Sequence, residues 1–419
     1  MRRFTILVSM LAGASFLAAC TDDGGDESGG DAGAPDGGDV DTDTDTWPDL
    51  TGKECAFALS AAPLAIRAEP SGHVAFPDVA RLPGGEILLV YREADEHGVD
   101  PVGRIVRQVG AADALEWSEP EVLHDTPDID DRDPSVTVTA DGEVVVNWFQ
   151  YVYEATDDGD LGVHQVFFGR SDDLGATLAE TSMVPSLSMD YPGAYVGDDE
   201  LWLDAAGDPV VVTACSSPVR EIGGGLFVQS YGGYAWNTAN PAAPRSRISL
   251  FTSGDGGGTW TESPIADGQA ADTWLQEPSL LALGPNRWIV QLRTADGMSP
   301  GNPGNLWQTT TDDGGATWSG YEDLGFVGHA PYLYRLSNGV LVSAFRWLND
   351  AFTSTNVDFI YSMDAGVTWS ELVPILDPQV VEVGYPSILE LEGDKMLVVF
   401  YVGGTTIRGA IYDFALVEE

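Results

Sequence analysis

The sequence predicts an all-β chain folded as a six-bladed β-propeller, and three observations carry that expectation. First, a pattern of Pro, apolar strand, turn and second apolar strand recurs five times. It reads FPDVARLPGGEILLVYR from Phe76, DPSVTVTADGEVVVNWF from Asp133, EPSLLALGPNRWIVQLR from Glu277, APYLYRLSNGVLVSAFR from Ala330 and YPSILELEGDKMLVVFY from Tyr385. Second, a looser sixth copy, LWLDAAGDPVVVTAC, spans Leu201–Cys215. Third, a separate Ser-x-Asp-x-Gly-x-Thr-Trp motif recurs further along several of the same units. Self-similarity at a period near 55 residues is the signature of a repeat architecture. With 43% hydrophobic residues and 12 Trp, the 419-residue chain can bury a core.

Met1–Cys20 has the layout of an export signal, with Arg2 and Arg3 as the positive region and Phe4–Leu17 as the apolar region. Its last four residues, Leu17-Ala18-Ala19-Cys20, resemble the lipobox of bacterial lipoproteins, whose cysteine is acylated after cleavage. Thr21 stands where an inner-membrane retention Asp would be. The resemblance therefore implies an exported lipoprotein anchored through Cys20 at the outer membrane or cell surface. Residues 21–50 read as a disordered Asp/Gly-rich linker, because such a composition buries too little apolar surface to offset chain entropy. The ten acids of residues 21–46 extend it by mutual repulsion. Residues 51–419 are the expected propeller. Cys55 and Cys215 remain in a compartment that permits a disulfide, although no spacing shows that they meet.

In all five close copies fifteen residues separate the Pro from the last residue quoted, and a central turn makes each an antiparallel hairpin. The Pro positions 77, 134, 278, 331 and 386 differ by 57, 144, 53 and 55, so the long gap holds one more unit and an insertion. The Gly- and Tyr-rich part of that insertion, residues 223–240, is a candidate lid. The last unit runs out of chain after three strands, and Ala56–Ala68 is expected to supply its fourth and remove the exposed edge. In each hairpin the residue before Pro is expected to face the axis at one rim beside the residue sixteen positions on. That pairs Phe76 with Arg92, Asp133 with Phe149, Glu277 with Arg293, Ala330 with Arg346 and Tyr385 with Tyr401.

The second motif appears as Ser253-Asp255-Gly257-Thr259-Trp260, Ser362-Asp364-Gly366-Thr368-Trp369 and Thr311-Asp313-Gly315-Thr317-Trp318; Ser171-Asp173-Gly175-Thr177 carries Leu178 in place of Trp. Asp caps a tight turn, Gly takes the positive-φ position and Trp packs on a neighbouring strand, so these are hairpin fasteners rather than ligand sites. They resemble the Asp-boxes of the sialidase superfamily, and the chain from about residue 70 onward is similar to bacterial sialidases. The resemblance implies a retaining exo-glycosidase that removes terminal sialic acid or another acidic sugar, with a Tyr nucleophile. Residue by residue, Tyr385 matches the nucleophile and Glu277 its base, while Asp95 or Asp100 matches the acid. Arg92, Arg293 and Arg346 are the candidate carboxylate clamp, since guanidinium forks fit carboxylates. Arg132 and Asp133 read as further substrate contacts or as a solvated turn. The family's first clamp Arg is replaced by Ala75. A non-catalytic glycan-binding propeller and a protein-contact propeller are the alternatives.

Acids outnumber bases by 66 to 19, a formal charge of −47, which excludes a phosphate-binding footprint and hence nucleic acid. Beyond the N-terminus no apolar stretch is long enough to span a membrane as a helix. The Asp-rich run Asp128–Asp133 matches no calcium-loop spacing, so no metal or cofactor is expected. The expected partners are a glycan substrate and the lipid anchor, and the expected state is a monomer.

Overall fold

The computed structural model of the chain describes residues 47–69, 71–98, 102–156, 159–184, 213–232, 247–268, 271, 273–295, 303–349, 355–377 and 379–418. Residues 1–46, with the signal, Cys20 and most of the linker, lie outside the described residues, as do Asp100 and most of the loose repeat copy. Among the described residues there are 24 strands and no helix, so the chain is all-β. After β1 (Lys53–Ala68) come β2 (His73–Arg81), β3 (Ile87–Ala94), β4 (Arg104–Gly110) and β5 (Glu121–His124), which form one sheet in chain order. A second sheet holds β6 (Asp130–Val138), β7 (Val144–Thr156), β8 (Gly159–Ser171) and β9 (Glu180–Met183). In the third, β10 (Thr213–Ala214) and β11 (Arg220–Ile222) pair with β12 (Gly225–Gly232), followed by β13 (Arg247–Ser253) and β14 (Thr261–Asp267).

The fourth sheet has seven strands: β15 (Trp274–Ala282), β16 (Trp288–Ala295), β17 (Pro303–Thr311), β18 (Glu322–Arg335), β19 (Leu341–Leu348), β20 (Thr355–Ser362) and β21 (Val373–Pro374). Its 14-residue β18 serves two hairpin sets, pairing with β17 through Glu322–Val327 and with β19 through Gly328–Arg335. The last sheet is β22 (Val383–Leu391), β23 (Lys395–Val402) and β24 (Thr406–Glu418), completed by β1 against β24. The N-terminal strand thus covers the last sheet's edge, as the missing fourth strand required. Packing on the body begins before residue 51, because Trp47 lies under the Arg335 guanidinium and Leu50 is buried.

Contacts between sheets follow chain order and return to the start: β2 touches β6 and β22, β15 touches β11 and β18, and β18 touches β22. Residues 217–219 close the remaining interval, where Asn147 Nδ2 donates to Ser217 O and Val219 N donates to Asn147 Oδ1, each at 3.0 Å. Residues 223–232, expected within a lid, instead form the turn into β12 and that strand itself; 233–240 lie outside the described residues. β12 pairs along its length with β13 and at its two ends with β11 and β10, which makes it part of the sheet.

The hairpins differ from the expected register by one residue. Arg92 pairs with Ala75, Phe149 with Arg132, Arg293 with Gln276, Arg346 with His329 and Tyr401 with Gly384. The reason is a bulge at each X-Pro step, where the ladder skips two residues. Pro has no N–H to give the ladder, so the chain bulges there. All five residues before Pro have positive φ: Phe76 (57°), Asp133 (45°), Glu277 (49°), Ala330 (46°) and Tyr385 (48°). Backbone of this kind in non-glycine residues costs of order 1–3 kcal/mol each and is held only by its surroundings.

All four Asp-boxes close by the same hydrogen bonds. In the second sheet, Thr177 N donates to Asp173 Oδ1 at 2.8 Å, Thr177 Oγ1 donates to Asp173 Oδ2 at 2.8 Å and Gly175 N donates to Ser171 Oγ at 2.9 Å. Asp255, Asp313 and Asp364 repeat it. The Gly is needed twice over at Gly366, where φ is 82° and a Cβ would lie 2.5 Å from Ile289 Cδ1 of an earlier strand. The boxes therefore fasten one hairpin set onto the previous one. Trp260 does the same edge-on to Phe168 at 5.5 Å.

Candidate functional site

The five bulges carry their X residues to one end of the first strands. Phe76, Asp133, Ala330 and Tyr385 line one cleft together, with Ser216 and Tyr332. From the cleft wall the Tyr385 hydroxyl donates to Glu277 Oε1 at 2.7 Å, bridging 108 residues of sequence. Arg293 Nη1 donates to the same oxygen at 2.9 Å, and the Ala330 amide donates to Oε2 at 2.8 Å. Glu277 is 3% exposed. Burial works to raise its pKa, but Arg293, the Tyr385 hydroxyl and Arg346 outweigh it, so the carboxyl is held below its ordinary value and stays ionised. Such a group can accept the phenol's proton. The Tyr385 ring stands edge-on to Phe76 at 4.6 Å and 6.2 Å from Tyr401, which fixes its direction.

The three expected clamp arginines have different surroundings. Arg293 lies on Glu277, as expected. Arg346 Nη1 donates to Glu382 Oε1 at 3.1 Å and its Nη2 donates to His329 Nδ1 at 2.9 Å. Because guanidinium only donates, the His329 proton sits on Nε2. Burial, then Arg293 and Arg346, hold His329 well below its ordinary pKa, so it is neutral. Arg346 also requires Gly384, where a Cβ would be 3.2 Å from Arg346 Cδ.

Arg92 is fully buried and forks onto Asp130, with Nε to Oδ1 at 2.8 Å and Nη2 to Oδ2 at 2.9 Å. Its remaining N–H groups donate to Glu96 O, Gly98 O and His73 Nδ1. Arg132 Nη1 reaches His97 O, Gly98 O and Asp130 Oδ2 at 3.1–3.2 Å. Arg92 and Arg132 together therefore clasp the loop that follows β3 by its carbonyls. Arg92 is not available for the expected clamp, because Asp130 already fills its fork. Asp95, a candidate acid, is exposed on that clasped loop. The loop is also tied across the rim, since His97 Nδ1 lies 2.9 Å from Glu382 Oε2. Burial opposes the charge on Glu382, yet His97 and Arg346 hold it at about 2.

Asp133 is 4% exposed, and its Oδ1 has no hydrogen-bond partner among the described residues. Burial first, then the charge of Glu277, raise it to about 7 against the pull of Arg132. Glu382, His329 and Asp130 escaped the sequence reading. Asp130 sits in the acidic run before Pro134, and Glu382 stands three residues before Tyr385, but neither occupies the X position that marked the others. Asp131, in the same run, accepts from Thr126 N, Trp148 Nε1 and Gln150 Nε2. Among the described residues no group of His, Cys, Asp and Glu is placed to hold a metal ion. Cys55 and Cys215 are both buried and unpaired, and burial raises the Cys55 thiol to about 12.

Residues 85–398 match the family model described as BNR repeat-like domain. No curated protein matches the chain. Among solved structures, a Dyadobacter fermentans protein of unknown function aligns with TM-score 0.66 and 20% identity, over 86% of this chain and 99% of that one. A Hadza microbial sialidase, Hz136, aligns with TM-score 0.59 and 14% identity, covering 83% and 68%. The intramolecular trans-sialidase from Ruminococcus gnavus aligns with TM-score 0.57 and 11% identity, covering 82% and 95%. At these identities the likeness is one of fold. With the family match spanning most of the chain, the chain belongs to the BNR repeat-like domain family.

Proposed function

We propose that the protein is a retaining exo-glycosidase built on a six-bladed propeller, in which Tyr385 is the nucleophile and Glu277 its base. The single observation that carries this reading is the 2.7 Å hydrogen bond from the Tyr385 hydroxyl to the buried, ionised Glu277. The six blades are the four separate sheets plus the two hairpin sets that share β18, and the unbroken order of inter-sheet contacts supports them. As the phenol oxygen bonds to the anomeric carbon, its proton passes to Glu277 Oε1. The glycosidic bond breaks, and the leaving oxygen takes a proton from the acid, Asp95 or Asp100. Water then attacks the anomeric carbon, giving its proton to that same carboxylate, while the phenol is released and regains its own from Glu277. Arg293 keeps Glu277 oriented throughout.

The proposal extends to export as a Cys20-linked lipoprotein at the outer membrane or cell surface, acting as a monomer on glycans. Loss of radiolabelled palmitate incorporation in Cys20→Ser tests the anchor. A second reading, a glycan-binding propeller without turnover, is favoured by Ala75 in place of the first clamp Arg. Fluorogenic glycosides assayed with wild type, Tyr385→Phe and Glu277→Ala separate the two. The enzyme reading expects turnover in the wild type that both variants lose. Glycan-array binding without turnover in any of them favours the second.

A further inference from the structure

We infer, on the basis of the proposed glycosidase site, that its sugar is a neutral one rather than a carboxylated one such as sialic acid. The guanidiniums around the cleft are held by groups of the chain itself. Four rim guanidiniums have carboxyls beside them: Glu277 at Arg293, Glu382 at Arg346, and Asp130 with Asp133 beside Arg92 and Arg132. A fifth, Arg220 over the Tyr332 ring, donates from Nε and Nη2 to Leu280 O and Leu333 O. A carboxylate ligand gains from a guanidinium whose fork is open, or from a surplus of positive charge to replace its lost hydration. Arg92 offers neither, because Asp130 fills its fork and backbone carbonyls take its other donors. Arg346 gives Nη1 to Glu382 and Nη2 to His329, which leaves only its buried Nε without a partner among the described residues. Ala75, fully buried opposite Arg92, supplies no charge at all.

Protonation of Asp133 would leave one surplus charge, but it would lie with Arg92 and Arg132, whose donors are turned to Asp130 and to the loop carbonyls. Apart from Arg2 and Arg3 at the N-terminus, the only basic residue outside the described residues is Arg245. The remainder of the chain repels an approaching anion, with 66 acids against 19 bases. What the cleft does offer suits hydroxyl groups. The open Oδ1 of Asp133 can accept from a sugar hydroxyl, and the carboxyl can donate to one when protonated. Phe76 and Tyr385 supply an apolar wall.

The test is binding, so that it stands apart from turnover. The probes are N-acetylneuraminic acid and a panel of neutral monosaccharides (galactose, fucose, N-acetylglucosamine, mannose), titrated into the wild-type chain and followed by ligand-observed NMR. The expected result is at least one neutral sugar bound about tenfold or more tighter than N-acetylneuraminic acid, which is the factor one unmatched charge contact accounts for. In Glu382→Gln, which frees Arg346, N-acetylneuraminic acid is expected to gain about tenfold while the neutral sugar is unchanged. Equal or tighter binding of N-acetylneuraminic acid by the wild type overturns the inference, as does failure of every neutral sugar to bind. Sialoside turnover lost in Tyr385→Phe would overturn this inference while leaving the glycosidase reading intact. A neutral sugar bound without turnover would do the opposite.

Discussion

The Asp-box turns and the rim of X-Pro bulges are both repeats, yet they behave in opposite ways. At the four boxes the same Asp, Gly and Thr make the same bonds each time, and Asp173, Asp255 and Asp313 are all held at about 2 by Thr and Ser donors. At the five bulges the backbone repeats, with φ between 45° and 57°, while the side chain changes from Phe to Asp, Glu, Ala and Tyr. Constant side chains on a constant turn make a fastener. Varied side chains on a constant, strained backbone make a site, because the bulge aims whatever residue it carries at the shared cleft.

The largest effect should come from the rim. Tyr385→Phe or Glu277→Gln is expected to reduce turnover by about a thousandfold or more while the melting temperature changes little. A collapse of the fold in Tyr385→Phe would mean that the rim is structural and that the contrast with the boxes is false. The boxes should show the reverse. Gly366→Ala places a Cβ against Ile289 at a φ that L-residues avoid, and should cost about 2–4 kcal/mol in urea unfolding with turnover per folded molecule retained.

A third measurement follows from Asp133. Its folded value of about 7 lies above the ordinary 3.8, raised mainly by burial and then by Glu277. Between those two pH values the folded chain holds a proton that the unfolded chain has lost, so this group's contribution falls as pH rises from about 4 through about 7. In Asp133→Asn the urea midpoint should therefore drop less between pH 5 and pH 8 than in the wild type. Some slope should remain, because burial also raises Asp78 to about 6 and Asp358 to about 7. An unchanged slope would show that Asp133 titrates as an ordinary surface carboxyl. The smallest effect should be Asp364→Ala, a loss of about 1 kcal/mol, the usual cost of removing a capping side chain, seen as a small drop in melting temperature with turnover intact.

Much of this was legible beforehand because repeats announce themselves. The Pro spacing located the hairpins, the missing last strand required β1, and the X position picked out Tyr385, Glu277 and Asp133 before any contact was known. The one-residue register error has a local cause: spacing counts residues, whereas a bulge removes two from the ladder. The misassignment of Arg92 has a different one. A strand-end Arg reads the same whether its fork is open or filled, and only the packing of β6 against β2 and β3 brings Asp130 to it. The roles of His97, His329 and Glu382 likewise exist only across chain separations of 285 and 17 residues, bridged by the folded rim.

The sequence by itself determined the all-β class, the hairpin units, the turn fasteners and the pre-proline positions that hold Tyr385 and Glu277, because these follow from local periodicity, turn chemistry and a position that repeats. Only the tertiary structure decided which guanidiniums have a carboxylate in their fork, which loop they clasp and which carboxyl is left open to the cleft. Charge pairing depends on distances of about 3 Å between distant segments, and no local pattern in the chain encodes such distances.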